Sequence, residues 1–484
     1  MGRIRSALKF IVAAGVAFAA VAVVLFFLGA RVVLDGGGTP YVTFVDSAAK
    51  RERELTQHRE AQRASAINPA NHAQPANISQ PVSGGSPPAV VDGRAPIPAP
   101  YWTDFRGPLR DGVYRQRAIL TKWPAAGLKP MWKQPVGEGY ASFVVAAGRA
   151  FTIEQRADRE VVSAYDVATG RELWTHEWPA AFRETLGGDG PRATPTWADG
   201  LVYALGGSGE LFCLDAATGR PLWRTNILND AGASNLQWGM AASPLVLGDT
   251  VIVLPGGGGG KSVVAYERRT GKIAWSALDA RQSYSSPMLV TIADEPQRLV
   301  LGASRVMGLS PTNGALRWEH PWKTEPDVHA SQPIVIGRNR VFVSTGYGTG
   351  AAVLEITPNG GAFSVREVWR NIRMKNQFTS SVLHDGFIYG LDESILACID
   401  PATGELKWKG GRYGYGQVVL ASGHLIVLTE EGDLALVRAT PERHDELARF
   451  RAIDGKTWNH PALDDGVLLV RNVREMAAFD LRVK

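Results

Sequence analysis

At 484 residues, with 52 Lys and Arg against 47 Asp and Glu, the chain can build one large core and carries a net charge of only +5. The basic residues are scattered across turns rather than stacked in a stripe, which argues against nucleic-acid binding. Two cysteines, Cys213 and Cys398, exclude a disulfide framework and any metal or redox motif built on paired cysteines.

Residues 1–9 are basic (Arg3, Arg5, Lys9), and residues 10–30 run for 21 positions without a charge. That length suits a transmembrane anchor. The competing reading is a cleaved secretory signal, whose apolar core is normally roughly 7–15 residues before a small-residue site; Leu28-Gly29-Ala30 matches such a site poorly. The first cysteine is Cys213, which speaks against a lipoprotein anchor. Positive charge ahead of the span predicts a single-pass inner-membrane protein, its amino terminus cytoplasmic and its bulk in the periplasm or otherwise outside the cytoplasmic membrane. Residues 31–100 read as a polar helix near 46–63 followed by a Pro-, Ala- and Ser-rich tether over 68–100.

Residues 101–484 form the repeat domain. A tryptophan recurs seven times from Trp132 to Trp408, at intervals of 39 to 52 residues. Five of these end one turn formula: Asp166-Val-Ala-Thr-Gly170 before Trp174, Asp215-Ala-Ala-Thr-Gly219 before Trp223, Glu267-Arg-Arg-Thr-Gly271 before Trp275, Ser310-Pro-Thr-Asn-Gly314 before Trp318 and Asp400-Pro-Ala-Thr-Gly404 before Trp408. A period of this length marks an array of similar units. Short apolar stretches such as Leu201-Val-Tyr-Ala-Leu205 precede each turn, so each unit reads as antiparallel strands joined by hairpins. The Asp carboxylate accepts backbone N–H groups, Gly supplies the positive φ, and the Trp fills the gap between neighbouring sheets.

The count of units predicts an all-β, eight-bladed β-propeller. The outer-strand aromatics are Trp132, Trp174, Trp223, Trp275, Trp318, Trp369, Trp408 and Phe450. Three strands after Phe450 have no Trp strand of their own, while Trp132 has no strands before it. Residues 129–135 therefore complete the last blade and close a monomeric ring without free edges. Cys213 and Cys398 hold the same repeat position in the second and sixth blades, too far apart for a disulfide.

Asp-x-x-Thr-Gly-x-x-x-Trp at this spacing resembles the repeat of the pyrroloquinoline quinone (PQQ)-like β-propellers. The opening Trp102-Thr-Asp-Phe-Arg-Gly-Pro-Leu-Arg-Asp-Gly112 is similar to the opening of exported or membrane-anchored members. Two branches matter: the quinoprotein alcohol dehydrogenases, and BamB, the propeller subunit of the outer-membrane β-barrel assembly machine. The fold carries either function.

Aligning the segments that lead into the inner strands brings a candidate ligand-binding rim to one channel mouth: Tyr140, Arg192, Trp238, Tyr284, Lys375, Asn376, Trp458 and His460. Cations, an amide and flat aromatic faces suit an anionic planar ligand or an acidic peptide. The run Gly256–Gly260 before Lys261 contains the bare string of a phosphate loop, but it continues into the strand Val263-Val-Ala-Tyr266 and reads as a hairpin.

For the dehydrogenase branch, the resemblance implies PQQ stacked between a Trp and a disulfide of adjacent cysteines, Ca²⁺ held by acidic and amide side chains, and an Asp base. Trp238 or Trp458 supplies a ring, but no adjacent cysteines exist, the rim segments hold no Asp, and Glu138, Asp189 and Asp327 give no coherent Ca²⁺ set. The preferred expectation is a BamB-like scaffold with envelope or membrane partners and no assigned catalytic or metal residues. The alternative is a PQQ-dependent alcohol dehydrogenase-like oxidoreductase.

Overall fold

Alternating β-branched and aromatic stretches, broken by glycine turns, give strands throughout the computed structural model, which describes residues 19–44, 46–67 and 102–483. Seven blades follow in order over residues 144–179, 196–226, 245–277, 288–321, 334–371, 382–412 and 417–451. The eighth joins Ala462–Asp464, Val467–Arg471 and Glu475–Asp480 to Pro130–Pro135, the outer strand taken from the start of the domain. Trp132 lies opposite Ala478 and Pro130 opposite Phe479 in that pairing. The expected closure is therefore present. The seventh blade also gains a fifth strand, Val113–Tyr114, parallel to its inner strand Gln417–Ala421.

The repeat formula is a clasp between blades. Asp166 accepts the Thr169 N–H and hydroxyl, and Gly170 closes the turn at φ 71° while its N–H donates to the Asp166 carbonyl. The Trp132 indole of the preceding blade lies against Gly170 and donates to the Val167 carbonyl at 2.8 Å. The same pair recurs: Trp174 lies against Gly219 and donates to Ala216, Trp223 against Gly271 to Arg268, and Trp369 against Gly404 to Pro401. Glycine leaves room for the ring and adopts the backbone angle without strain.

The variants of the clasp have local causes. In the fourth blade Arg298 takes the Pro311 carbonyl and lies 4.5 Å over the Trp275 ring. Trp318 packs with Leu354 and Ile356 of the fifth blade, whose outer hairpin runs on to Asn359 without the turn formula, and donates instead to Gln297 of its own blade at 2.6 Å. Phe450 covers Gly127, ahead of the closing strand, and meets Trp123 and Phe479 edge-on at 5.7 and 5.5 Å. Cys213 and Cys398 are buried free thiols facing Trp223 and Trp408 in register.

The amino-terminal expectations need correction. Among the described residues no helix is long and apolar enough to cross a membrane. The helix over 19–27 ends at the Leu28-Gly29 turn, where Gly29 takes φ 95° and the Arg31 guanidinium donates to the Phe26 carbonyl. Ala30–Leu34 then pairs with Pro40–Phe44 as a hairpin. The transmembrane anchor drawn over 10–30, and the single-pass inner-membrane placement derived from it, are overturned on that finding; residues 10–18 lie outside the described residues. The expected polar helix is present as Ala48–Ile67. The tether over 68–100 falls outside the described residues.

That helix is fastened at the seam between the eighth and first blades. Arg59 is 2% exposed; it donates to the Pro135 carbonyl at 3.0 Å, pairs with Glu172 at 3.2 Å and lies over the Tyr165 ring. Next to it, Arg471 of the eighth blade donates to Thr152 and Ile153 of the first and to Gly137 just ahead of it. Although burial pushes the Glu154 carboxyl up, Arg156, Arg471 and Arg59 together hold it well below the usual carboxylate range.

Gly219 and Gly200 separate the clasp from ordinary turn strain. Both have φ near 75° (73° and 79°), but a Cβ on Gly219 falls inside the Trp174 ring whereas one on Gly200 meets nothing within 4 Å. Gly219→Ala is expected to destabilise by about 2–3 kcal/mol and Gly200→Ala by about 1 kcal/mol, read by equilibrium denaturation. Equal losses would remove the clasp as the reason for the repeat.

Candidate functional site

The inner strands meet around the axis through a belt of side chains at one aligned position. The Ser142 N–H donates to Thr194 Oγ1, the Thr194 N–H to Ser243, the Ser243 N–H to Ser286, the Ser286 N–H to Gln332 and the Gln332 N–H to Ser380, all at 2.7–3.0 Å. Ser142 Oγ carries the belt back to the eighth blade by donating to the His460 carbonyl at 2.5 Å. Short side chains next to the proline thus satisfy inner-strand N–H groups that have no sheet partner across the axis.

Below this belt the opening segment plugs the channel. Trp102 is fully buried and its carbonyl accepts the Val145 N–H at 2.7 Å, while the Thr103 carbonyl accepts the Trp197 N–H. Arg110 reaches three blades, donating to the carbonyls of Ser243, Pro244 and Pro287 and to Thr196 Oγ1, with Asp104 as its counter-ion at 3.0 Å. Arg106 donates to the Ser381 carbonyl at 2.9 Å and approaches His460 Nε2 at 3.3 Å. Burial pulls the Arg106 guanidinium down to about 10, still charged at neutral pH. The segment leaves past Tyr114, whose hydroxyl accepts the Gly466 N–H.

At the opposite mouth five of the eight expected residues come together. Trp458 stacks on Tyr140 at 5.2 Å, Arg192 lies 5.3 Å over Tyr140, and Trp238 meets Tyr284 at 5.8 Å. Phe378, 4.6 Å from Trp458, and Tyr415, 5.7 Å from Phe378, extend the rim into an aromatic arc. Lys375 stands apart, paired with Asp392 and Glu393 at 3.2 and 3.4 Å. Asn376 and His460 are buried below the rim. Asn376 donates to the Leu391 carbonyl and accepts from Ser381, and His460 fills the eighth blade's place in the belt.

The charge at the mouth is mixed. Both Arg192 guanidinium ends donate to the carbonyls of Gly190 and Gly188 at 2.7 Å. Glu430 accepts from the Trp458 indole at 2.8 Å and from the Tyr415 N–H at 3.0 Å. Lys456 lies 3.5 Å over the Trp458 ring, and burial pulls its amine down to about 8. Phe378, Tyr415 and Lys456 were not among the expected residues. The first two stand in the aligned segments, and Lys456 lies two positions before Trp458. A cavity of about 1100 Å³ opens here, between the arc and the hairpin Ala30–Leu34/Pro40–Phe44.

The residues present do not fit PQQ with Ca²⁺. The thiols of Cys213 and Cys398 sit in opposite blades, and burial pushes each up to about 12. Among the described residues no three His, Cys, Asp or Glu side chains converge on a metal position. Trp238 and Trp458, the candidate stacking rings, already pack on Tyr284 and on Tyr140 and Phe378.

A profile of the PQQ-like repeat family described as "Outer membrane protein assembly factor BamB" matches residues 157–410, just over half the chain. The chain belongs to this family. BamB of Yersinia pestis is 23% identical over 278 residues, which are 54% of this chain and 66% of that protein. Tetrathionate hydrolase of Acidithiobacillus ferrooxidans is 22% identical over 297 residues, 57% of this chain and 51% of that enzyme. The chain thus spans between about half and two thirds of these curated relatives. The BamB structure from Moraxella catarrhalis superposes with a TM-score of 0.52 at 15% identity, covering 74% of this chain and 99% of that one. Quinohemoprotein alcohol dehydrogenase from Comamonas testosteroni gives 0.58 at 14% identity, covering 80% and 81%. These likenesses establish the propeller for this BamB-like member and leave its activity to its own residues.

Histidine titration separates a structural belt residue from a proton-transfer group. Burial, then the Arg106 charge, lowers His460 to about 3, and burial lowers His329 to about 4. The unfolded chain takes up protons at both as pH falls below ~6.5 while the folded chain refuses them, so stability is lost with falling pH through that window. Each contributes a loss of about 2 kcal/mol at pH 5. His460→Gln is expected to flatten the fall in denaturation midpoint between pH 7 and 5; an unchanged slope would put His460 in water.

Proposed function

We propose that the chain is a binding and scaffold module for polypeptide segments in envelope protein assembly, with the aromatic mouth as its contact surface. The observation that carries this reading is the plug: Arg106 and Arg110 occupy the channel axis and engage the carbonyls there, so the rim remains for a partner. Family membership supports the same reading, since relatives carry the name of an outer-membrane protein assembly factor. An arc of Tyr140, Trp458, Phe378 and Tyr415 offers flat apolar area with polar edges, the composition of protein contact sites. Of the rim cations Arg192 is engaged by two carbonyls and Lys456 lies over the Trp458 ring, which favours a polypeptide over a small anionic ligand.

Leu186 lines the mouth cavity and is 48% exposed, whereas Ile273, 47% exposed, lies on an outer strand. A photo-cross-linking residue at Leu186 is expected to capture outer-membrane assembly proteins or their unfolded clients in intact cells, with the same residue at Ile273 as the negative control. Equal recovery from both positions, or none from Leu186, would remove the mouth as contact surface. For the dehydrogenase alternative, calorimetry with PQQ and Ca²⁺ is expected to give no saturable heat. Saturable binding, with dye-coupled alcohol oxidation lost in Trp238→Ala, would reverse the assignment.

A further inference from the structure

The mouth already holds a piece of polypeptide, and the way it is held is specific. The turn of the hairpin Ala30–Leu34/Pro40–Phe44 rests on the Tyr415 ring. The Gly36 N–H donates to Glu430 Oε1 at 2.7 Å, and the Gly36 carbonyl accepts from Gln377 Nε2 at 2.9 Å. A Cβ on Gly36 would fall inside the Tyr415 ring, and one on Gly37 would stand 2.6 Å from its hydroxyl. Asp35 folds the turn by accepting the Gly37 and Thr39 N–H groups, and it lies within electrostatic reach of Lys456. Gly36 is the one buried residue of the hairpin, while Val32, Val42 and Phe44 are 70%, 67% and 61% exposed. The strands therefore contribute little to holding it; the turn is the attachment.

We propose that Tyr415, Glu430 and Gln377 form a receptor for an Asp-Gly-Gly turn, that residues 35–38 occupy it in cis, and that a partner polypeptide presenting such a glycine hairpin displaces them. The inference rests on the polypeptide-binding reading of the mouth and names what the mouth recognises. The flat ring selects two consecutive residues without Cβ, one carboxylate and one amide read the backbone of the first, and the lysine faces the Asp. Because the cis turn sits at high effective concentration, the receptor stays closed to weak competitors.

The test uses the full-length chain and a fluorescein-labelled synthetic peptide with the sequence of residues 30–44. Wild type is expected to bind it weakly, its receptor being filled. Gly36→Val in the protein, which cannot seat its own turn, is expected to bind at least tenfold more tightly. The gain should vanish when Tyr415→Ala is added, and also when the peptide carries the same Gly→Val change. Hydrogen exchange should show residues 30–44 losing protection in Gly36→Val while the blades keep theirs. Equal binding of both peptides to Gly36→Val, or none of the unaltered one, would overturn the receptor. A concentration-dependent dimer of wild type that Gly36→Val abolishes would also overturn it, by making a second copy the occupant. If peptide binding fails while Leu186 still cross-links assembly proteins, the receptor falls and the scaffold reading stands; the converse result separates them the other way.

Discussion

The ring rests on one contact made over and over: an indole from one blade laid on a glycine of the next, with its N–H on the neighbouring carbonyl. Each partner explains the other. The glycine must adopt positive φ to close its own hairpin, and the missing side chain leaves the floor on which the ring lies. A large aromatic surface is buried between sheets that otherwise share only side-chain packing. Trp132 makes this contact onto Gly170 across the closing seam as Trp174 does onto Gly219 within the array. The seam is further tied by Arg471 and, from outside, by Arg59.

Architecture was legible because the clasp demands particular residues at a constant offset, so the blades could be counted from Gly and Trp, with Phe450 and the three strands after it giving the closure. The site was legible only in part. Alignment of the inner-strand segments found Tyr140, Trp238, Tyr284 and Trp458 because loop ends of repeated units converge on the axis. The same alignment carried His460 along, although its position belongs to the hydrogen-bonded belt, and Asn376, which faces into its blade. Depth along the channel separates these groups, and depth depends on plug and loop geometry that residue spacing does not encode. The hairpin at 30–44 was hidden for a different reason. Its signal, β-branched residues around Asp35-Gly-Gly-Gly38, is an ordinary hairpin pattern. Apart from Ala30 its residues fall between the uncharged run and the polar helix, in a stretch given no element of its own.

The channel shows how the chain fills the axis of its own ring. Arg106 and Arg110 gather carbonyls from the third, fourth and sixth blades and a hydroxyl from the second. Such groups, buried without a partner, are expensive, and here the chain itself supplies the donors. The axis becomes a structural core, while the rim keeps aromatic faces and mixed charge.

The eighth blade takes its strands from both ends of the domain, with Pro130 opposite Phe479. During synthesis the ribosome releases the closing strand ahead of the seven blades that follow it, and its partner Glu475–Asp480 emerges only after all of them. Until then the sheets stand as an open arc with two raw edges. Once shut, the circle has no end from which to fray: opening it requires pulling out the plug and stripping the seam together. Slow assembly and slow unfolding follow from the same topology, so the molecule should depend on protection while nascent and resist proteolysis when complete.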